Sequence, residues 1–147
     1  MSTIYTIGFT RKTLEQFIRL LQQAGVDAVI DVRLRNTSQL AGFAKRDDLE
    51  FLLRECFAIG YEHHPELAPT PEILAAYKAG GNWALYERKF LPLLPQRDAG
   101  AIGLQILSRY RRPCLLCAEP TPDHCHRRLV AEWWAERLPD LEVVHIV

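Results

Sequence analysis

The chain has no excess of either charge and no long apolar run, and each absence excludes a class of protein. Lysine plus arginine and aspartate plus glutamate both number 18 among 147 residues. That balance argues against general coating of nucleic acid or of an anionic membrane, although a local basic patch can still form. No stretch approaches the roughly 20 apolar residues of a membrane span. The start, MSTIYTIGFT, lacks the basic and apolar segments of a signal peptide. We therefore expect a cytoplasmic protein with no membrane partner.

Cysteine is also scarce. The four cysteines are too few and too unevenly spaced for a disulfide scaffold, and we expect them to be reduced in the cytosol. The length is that of one ordinary domain, and 48% of the residues are hydrophobic, which is enough for one core without cross-links. The sequence therefore predicts a single domain over residues 1–147.

Short apolar or β-branched runs alternate with segments of helical periodicity. The predicted strands are TIYTIG, DAVIDVR, CLLCAE and LEVVHIV, and YEHHPEL is predicted as a short strand that runs into a loop. One predicted helix follows Thr13 and another follows Asp47 or Asp48. Two or three more lie around 73–78, 83–94 and 99–110, and one covers 125–138. This alternation predicts an α/β fold with a mostly parallel sheet of about five strands and helices on both faces.

Polar residues follow several of these strands. Ligands of parallel sheets bind beyond the carboxyl ends of the strands, so these groups should gather at one edge. They are residues 8–10, including Gly8 and Thr10; Asp31 with Arg33; His63 with His64; and Glu119 with the 120–128 turn. Such a concentration of ionisable groups predicts a functional site.

The segment CLLCAEPTPDHCHRRLV, residues 114–130, holds three of the four cysteines. In a strand, Cys114 and Cys117 face opposite sides and cannot share one ion. We expect Cys114 and Cys56 to be core residues. Cys125 lies in the first turn of a helix, where free amides and the neighbouring basic residues favour a thiolate and bind anions. Cys125 is therefore a nucleophile, a redox thiol or a ligand contact, or else a buried thiol that packs the turn.

Other candidates have two interpretations each. Asp31 and Arg33 either bind substrate or form an ion pair that closes the sheet edge. His63 either faces the cleft or is a loop histidine bonded to backbone. Glu119 either transfers protons or pairs with Arg127 or Arg128.

Five segments occur in an order that resembles a prokaryotic family, domain of unknown function 488. They are TIG at 6–8, DVR at 31–33, GYEHHPEL at 60–67, LLCAE at 115–119 and CHRRLVA at 125–131. The resemblance implies no established reaction. It implies marked positions at Gly8, Asp31, Arg33, His63, Cys117, Glu119, Cys125, His126 and Arg127. Members often have histidine where Phe9 stands, proline at Asn36 and glycine at Ala68, and a lost histidine at Phe9 implies altered or reduced activity.

The sequence is consistent with two main classes of function and with one less favoured alternative. The first is a small enzyme acting on an anionic substrate, such as a nucleotide, a nucleic-acid end or a phosphorylated metabolite. Its predicted catalytic residues are Cys125, Cys117, Glu119, Asp31 and His63, and its predicted anion-binding residues are Arg33, His126, Arg127, Arg128, Gly8 and Thr10. The second is a non-catalytic module that binds a nucleotide, nucleic acid or a protein. The lesser alternative is metal binding by Cys117, Cys125 and one of the histidines 63, 64, 124 or 126; no other cofactor is predicted.

Overall fold

Five strands form one parallel sheet in the computed structural model of the chain, which describes residues Met1–Val147. They are β1 (Ser2–Gly8), β2 (Ala28–Asp31), β3 (Gly60–His63), β4 (Pro113–Cys117) and β5 (Leu141–His145). Their order across the sheet is β3-β2-β4-β1-β5, and every neighbouring pair is parallel. The predicted α/β fold with a sheet of about five strands is confirmed.

Seven α-helices connect the strands: α1 (Leu14–Ala24), α2 (Arg46–Phe57), α3 (Pro71–Gly80), α4 (Trp83–Phe90), α5 (Leu93–Gln96), α6 (Ala99–Arg109) and α7 (His126–Arg137). Short 3-10 turns cover Gln39–Ala44 and Pro65–Leu67. The predicted helix over 83–94 is two helices, because Pro92 has no amide hydrogen with which to continue α4. No helix combines the length and the apolar character needed to cross a membrane.

Helices cover both faces of the sheet, as predicted. One face packs against α1 and α2, whose Phe17, Leu21 and Leu49 join a core that includes Cys114. The other face packs against α3 to α7 and includes Cys117 and Trp134. The two cysteines of β4 therefore lie on opposite faces, as the strand geometry predicts.

The prediction that Cys56 is a core residue is wrong. Its spacing places it on the same helical face as Leu49 and Leu53, which are buried. Cys56 is nevertheless exposed, because it belongs to the last turn of α2, where no neighbouring element covers it.

The carboxyl end of β1 lies directly against the chain that leaves β4. A β-carbon placed on Gly8 would overlap the carbonyl oxygen of Glu119. The amides of Phe9 and Thr10 donate to the carbonyl oxygens of Cys117 and Ala118, at 3.3 and 3.1 Å, and the Thr10 hydroxyl donates to Ala118 O at 2.7 Å. Glycine at position 8 therefore fixes the loop that follows β4.

Candidate functional site

A pocket of about 270 Å³ opens at the carboxyl edge of the sheet. Residues after β2 form one side, the end of β4 and the start of α7 form the floor, and α3 and α4 form the opposite wall. The lining comprises Arg33, Leu34, Arg35, Pro69, Leu74, Tyr77, Lys78, Trp83, Tyr86, Cys117, Ala118, Glu119, His124, Cys125 and His126. Of the predicted site residues, Arg33, Cys117, Glu119, Cys125 and His126 therefore share one pocket.

The floor of the pocket holds a thiol–imidazole cluster of Cys117, Cys125 and His126. The two sulfur atoms and a ring nitrogen of His126 all lie within 4.8 Å of one another. The Cys117 Sγ is 3.6 Å from His126 Nδ1. Nε2 of the same ring lies 2.6 Å from the carbonyl oxygen of Val32. Because a carbonyl oxygen can only accept, Nε2 carries a hydrogen. Nδ1 has no hydrogen-bond partner other than the sulfur, and Nε2 also lies 3.9 Å from Cys117 Sγ.

The two thiols of the cluster differ in acidity. The hydrogen bond to Cys125 and burial raise the pKa of Cys117 well above its usual value. Burial also acts to raise the pKa of Cys125, but the hydrogen bond from Cys117, His126 and the charge of Arg127 lower it well below that value. Cys125 is also the N-cap residue of α7, where unpaired helix amides favour negative charge. Cys125 is therefore the thiol of the pair that gives up its proton.

Arg127 lies behind this cluster and does not border the pocket. The residue is fully buried, and its Nη1 donates to the carbonyl oxygen of Glu119 at 2.7 Å. Its Nε and Nη2 are buried without a hydrogen-bond partner, and no carboxylate forms an ion pair with it. Arg127 thus contributes positive charge next to the thiols and fixes the backbone at Glu119.

Asp31 and Arg33 form a buried ion pair at the end of β2. Arg33 donates to the Asp31 carboxylate from Nε at 2.9 Å, from Nη2 at 2.8 Å and from its own amide at 3.1 Å. Asn36 Nδ2 donates at 3.1 Å and the Tyr61 hydroxyl also donates. Burial acts to raise the pKa of Asp31, but the hydrogen bonds and charge of Arg33 and the bond from Tyr61 lower it overall. Asp31 does not border the pocket, whereas Arg33 does.

Phe9, where the resembling family often has histidine, packs against this ion pair. Its ring lies 5.2 Å from the Arg33 guanidinium carbon and meets Phe43 edge-on at 6.4 Å. The side chain at position 9 thus supports Arg33 by a cation–π contact.

The rim of the pocket carries charges without ion-pair partners. Arg35, Lys78 and Glu119 border the pocket, are exposed, and belong to none of the ion pairs of the structure. With Arg33 already neutralised by Asp31, the unpaired charges are two cations and one carboxylate. The rim therefore favours an anionic ligand.

Aromatic rings form the wall opposite Arg33. Trp83 stacks with Tyr86 at 4.6 Å and with His124 at 5.2 Å between ring centroids, and Tyr77 meets Trp83 edge-on at 5.7 Å. Pockets for small organic ligands typically combine such apolar walls with a few polar groups.

Four other predicted site residues lie outside the pocket lining. His63 Nε2 contacts the carbonyl oxygen of Arg33 at 2.9 Å. Arg128 donates to the carbonyl oxygens of Pro122 and Asp123 and pairs with Glu132. Gly8 packs against residue 119, and Thr10 borders a separate groove beside Arg11 and Lys12. These residues contact the loops that bear the pocket.

Sequence reasoning did not single out the wall and rim residues Arg35, Tyr77, Lys78 and Tyr86, and it assigned Trp83 to the core by default. It also missed Tyr61 and Asn36 as partners of Asp31. The only signal in the sequence was a local one: the aromatic residues 77, 83 and 86 lie close together in two successive predicted helices.

Comparisons with known proteins give a family but no reaction. Residues 13–134 match the family model described as "Domain of unknown function DUF488". The chain is 32% identical over 126 residues to proteins named N-succinylglutamate 5-semialdehyde dehydrogenase from Yersinia pestis bv. Antiqua (strain Angola) and Yersinia pseudotuberculosis serotype O:3 (strain YPIII). The match covers 84% of this chain and 23% of each relative, so the chain spans less than a quarter of the length of those proteins. No solved structure matches the chain.

Proposed function

The chain belongs to the DUF488 family, and from that premise we propose that it is a small enzyme acting on an anionic substrate in the pocket above Cys117 and Cys125. One observation carries the proposal. Two neighbouring thiols, one of them at the start of α7, border the same 270 Å³ pocket as an unpaired carboxylate and unpaired cations. Groups of this kind in one cleft are what acid–base and nucleophilic chemistry require.

The cations have distinct roles in this proposal. Arg35 and Lys78 attract the anion at the rim. Arg33 holds it deeper, because its Nε and Nη2 are fixed by Asp31 while Nη1 has no partner in the protein. In this arrangement Asp31 positions Arg33 and leaves proton transfer to Glu119, whose exposed carboxylate borders the pocket. The reacting centre is the thiol–imidazole cluster below them.

The aromatic wall supports a nucleotide-like or otherwise phosphorylated ring-bearing substrate. Aromatic side chains next to cations bind a flat ring and a phosphate together. Trp83, Tyr77 and Tyr86 supply the rings, and Arg35 and Lys78 supply the charge.

Thermal-shift screening against inorganic phosphate, nucleotides and phosphorylated metabolites, followed by turnover assays, tests the proposal. We expect a stabilising anion whose affinity falls about tenfold in Lys78→Ala and in Arg35→Ala, because each removes a charge-assisted contact. Arg111→Ala is the matched control, since this exposed arginine precedes β4 at the opposite edge of the sheet. Equal losses in all three variants would contradict an anion site in the pocket.

Glu119→Gln and Cys125→Ser test the chemistry. Both should abolish turnover while Glu119→Gln keeps its affinity for the substrate; Cys56→Ser, which changes an exposed thiol, should keep full activity. A ligand that stabilises the fold and is never converted would refute catalysis and support a non-catalytic binding module. If that ligand is DNA or RNA, its affinity should fall steeply with added salt.

A further inference from the structure

We infer that Cys117, Cys125 and His126 form a three-ligand zinc site whose fourth coordination position opens into the pocket. The inference rests on the proposed function in taking the pocket as the active site, and it deepens that proposal by naming what the thiol–imidazole cluster holds.

The distances within the cluster fit zinc. Zinc bonds to sulfur and to imidazole nitrogen are about 2.3 and 2.0–2.1 Å long, so tetrahedral geometry separates a sulfur from a nitrogen by about 3.5 Å and two sulfurs by about 3.8 Å. Cys117 Sγ and His126 Nδ1 are 3.6 Å apart, and no pair of the three ligand atoms exceeds 4.8 Å. An ion bound by all three draws any ligand pair that is up to 4.8 Å apart closer together and turns the His126 ring so that Nδ1 points to the ion.

The histidine already makes the outer hydrogen bond that a metal-bound histidine commonly makes. A ligating histidine commonly donates its other ring hydrogen to a carbonyl or carboxylate, which fixes both the tautomer and the ring. His126 Nε2 makes that contact with Val32 O at 2.6 Å, which leaves Nδ1, 3.6 Å from Cys117 Sγ, as the nitrogen available to a metal. The ring is buried and cannot turn Nδ1 towards solvent without losing this bond.

The donor set selects the metal and leaves one position open. Two sulfurs and one imidazole favour zinc over magnesium or calcium, which prefer oxygen ligands. Cys114 lies on the other face of the sheet and cannot serve as a fourth ligand. All three ligands border the pocket. Three protein ligands with an open position are typical of catalytic zinc, which polarises a substrate oxygen or a bound water.

Coordination by two cysteines would also leave the buried centre at the floor of the pocket without net charge. Two thiolates balance the double charge of zinc, so the buried centre is neutral next to the positive charge of Arg127. In this arrangement Cys125 is a ligand, and Glu119 is the pocket carboxylate that moves a proton to or from the bound water.

Cobalt titration of the full chain tests the site. The chain is prepared without a histidine tag, reduced, stripped with a chelator and titrated with Co²⁺. We expect one equivalent to bind with the visible absorption of a tetrahedral ion and a near-ultraviolet thiolate-to-cobalt band, and Zn²⁺ to abolish both. Zn²⁺ should also protect Cys125 from alkylation.

Variants assign the ligands. Cys117→Ser, Cys125→Ser and His126→Gln should each weaken Zn²⁺ binding more than about 100-fold, because loss of even an outer partner of a ligand costs about 10–100-fold. Cys56→Ser should bind as the wild type does. Circular dichroism identifies any variant that fails to fold; the wild-type spectrum and stoichiometry decide the question even if all three ligand variants misfold.

Binding of less than about half an equivalent, an octahedral cobalt spectrum, or loss of the thiolate band in Cys56→Ser would overturn the zinc site. Failure of the inference and failure of the proposed function are distinguishable. If phosphate or a nucleotide still binds through Lys78 and Arg35 but Zn²⁺ does not bind, only the zinc site is refuted. If Zn²⁺ binds and no anion does, the zinc site stands and the anionic substrate is refuted.

Discussion

Replacing Asp31 with asparagine removes the negative half of the buried ion pair at the end of β2. Asp31 is 0% exposed and Arg33 4% exposed. The carboxylate accepts three hydrogen bonds from Arg33 and one each from Asn36 and Tyr61. Asparagine keeps the shape but leaves the Arg33 charge buried without a counter-ion. Breaking a buried pair in this way costs about 3–5 kcal/mol, a large share of the roughly 5–15 kcal/mol that stabilises a typical domain.

Urea denaturation followed by circular dichroism measures this loss. The midpoint should fall with little change in slope, and Tm should fall by about 2–4 °C for each kcal/mol lost. Glu15→Gln is the matched control, because its ion pair with Arg19 has both side chains more than 60% exposed; it should cost less than about 0.5 kcal/mol. A loss below about 1 kcal/mol for Asp31→Asn, or one equal to the control, would refute the reasoning.

The same pair makes stability depend on pH. The folded chain holds the pKa of Asp31 below its ordinary value, so the unfolded chain binds a proton first as the pH falls. The stabilisation is complete above the unfolded pKa, about pH 4, and is lost as the pH falls towards the folded value. Asp31→Asn should lack this part of the acid slope, and an unchanged slope below pH 4 would contradict the assignment.

Three further predictions follow from single contacts. Gly8→Ala should lower the free energy of unfolding by more than about 2 kcal/mol, because the new methyl group overlaps backbone that cannot give way. Gly100→Ala, in open space on α6, should instead raise it by about 0.5–1 kcal/mol. Similar denaturation midpoints for the two variants would contradict the close approach at Gly8. Tyr61→Phe should cost about 1.5–3 kcal/mol through loss of a hydrogen bond to a charged group, and a midpoint equal to wild type would count against that bond. Burial is the main cause that lowers the pKa of His145 in the folded chain. The unfolded chain therefore takes up the proton first, and wild-type stability should fall as the pH drops through about 6.5. His145→Gln should reduce that fall, and identical pH profiles of stability for the variant and the wild type would exclude the effect.

The central strands of the sheet were predictable because both of their faces are buried. The central strands β2 and β4 are buried along their whole length, and their sequences are near-continuous apolar runs of the kind that parallel sheets require. The start of α1 after Thr13 was also predicted, and Thr13 caps this helix through two reciprocal hydrogen bonds with Gln16. Local patterns of this kind fix elements without reference to the rest of the chain.

The floor of the pocket was predictable for a related reason. Cys117 ends a strand and Cys125 begins the next helix, so the topology of a parallel sheet brings them to the same edge. The rim and wall were not predictable, because Lys78 and Trp83 belong to α3 and α4, whose place over the sheet edge depends on tertiary packing. No periodicity in the sequence reports which side of such a helix faces a cleft.

Trp83 is an intrinsic fluorophore in the wall of the pocket. Its indole stacks with His124 from the loop before α7, whereas the other two tryptophans, Trp133 and Trp134, lie on α7 outside the pocket lining. A molecule that enters and displaces the imidazole changes the surroundings of one indole out of three. We therefore expect intrinsic fluorescence to change when a ligand binds in the pocket, and Trp83→Phe to remove that change.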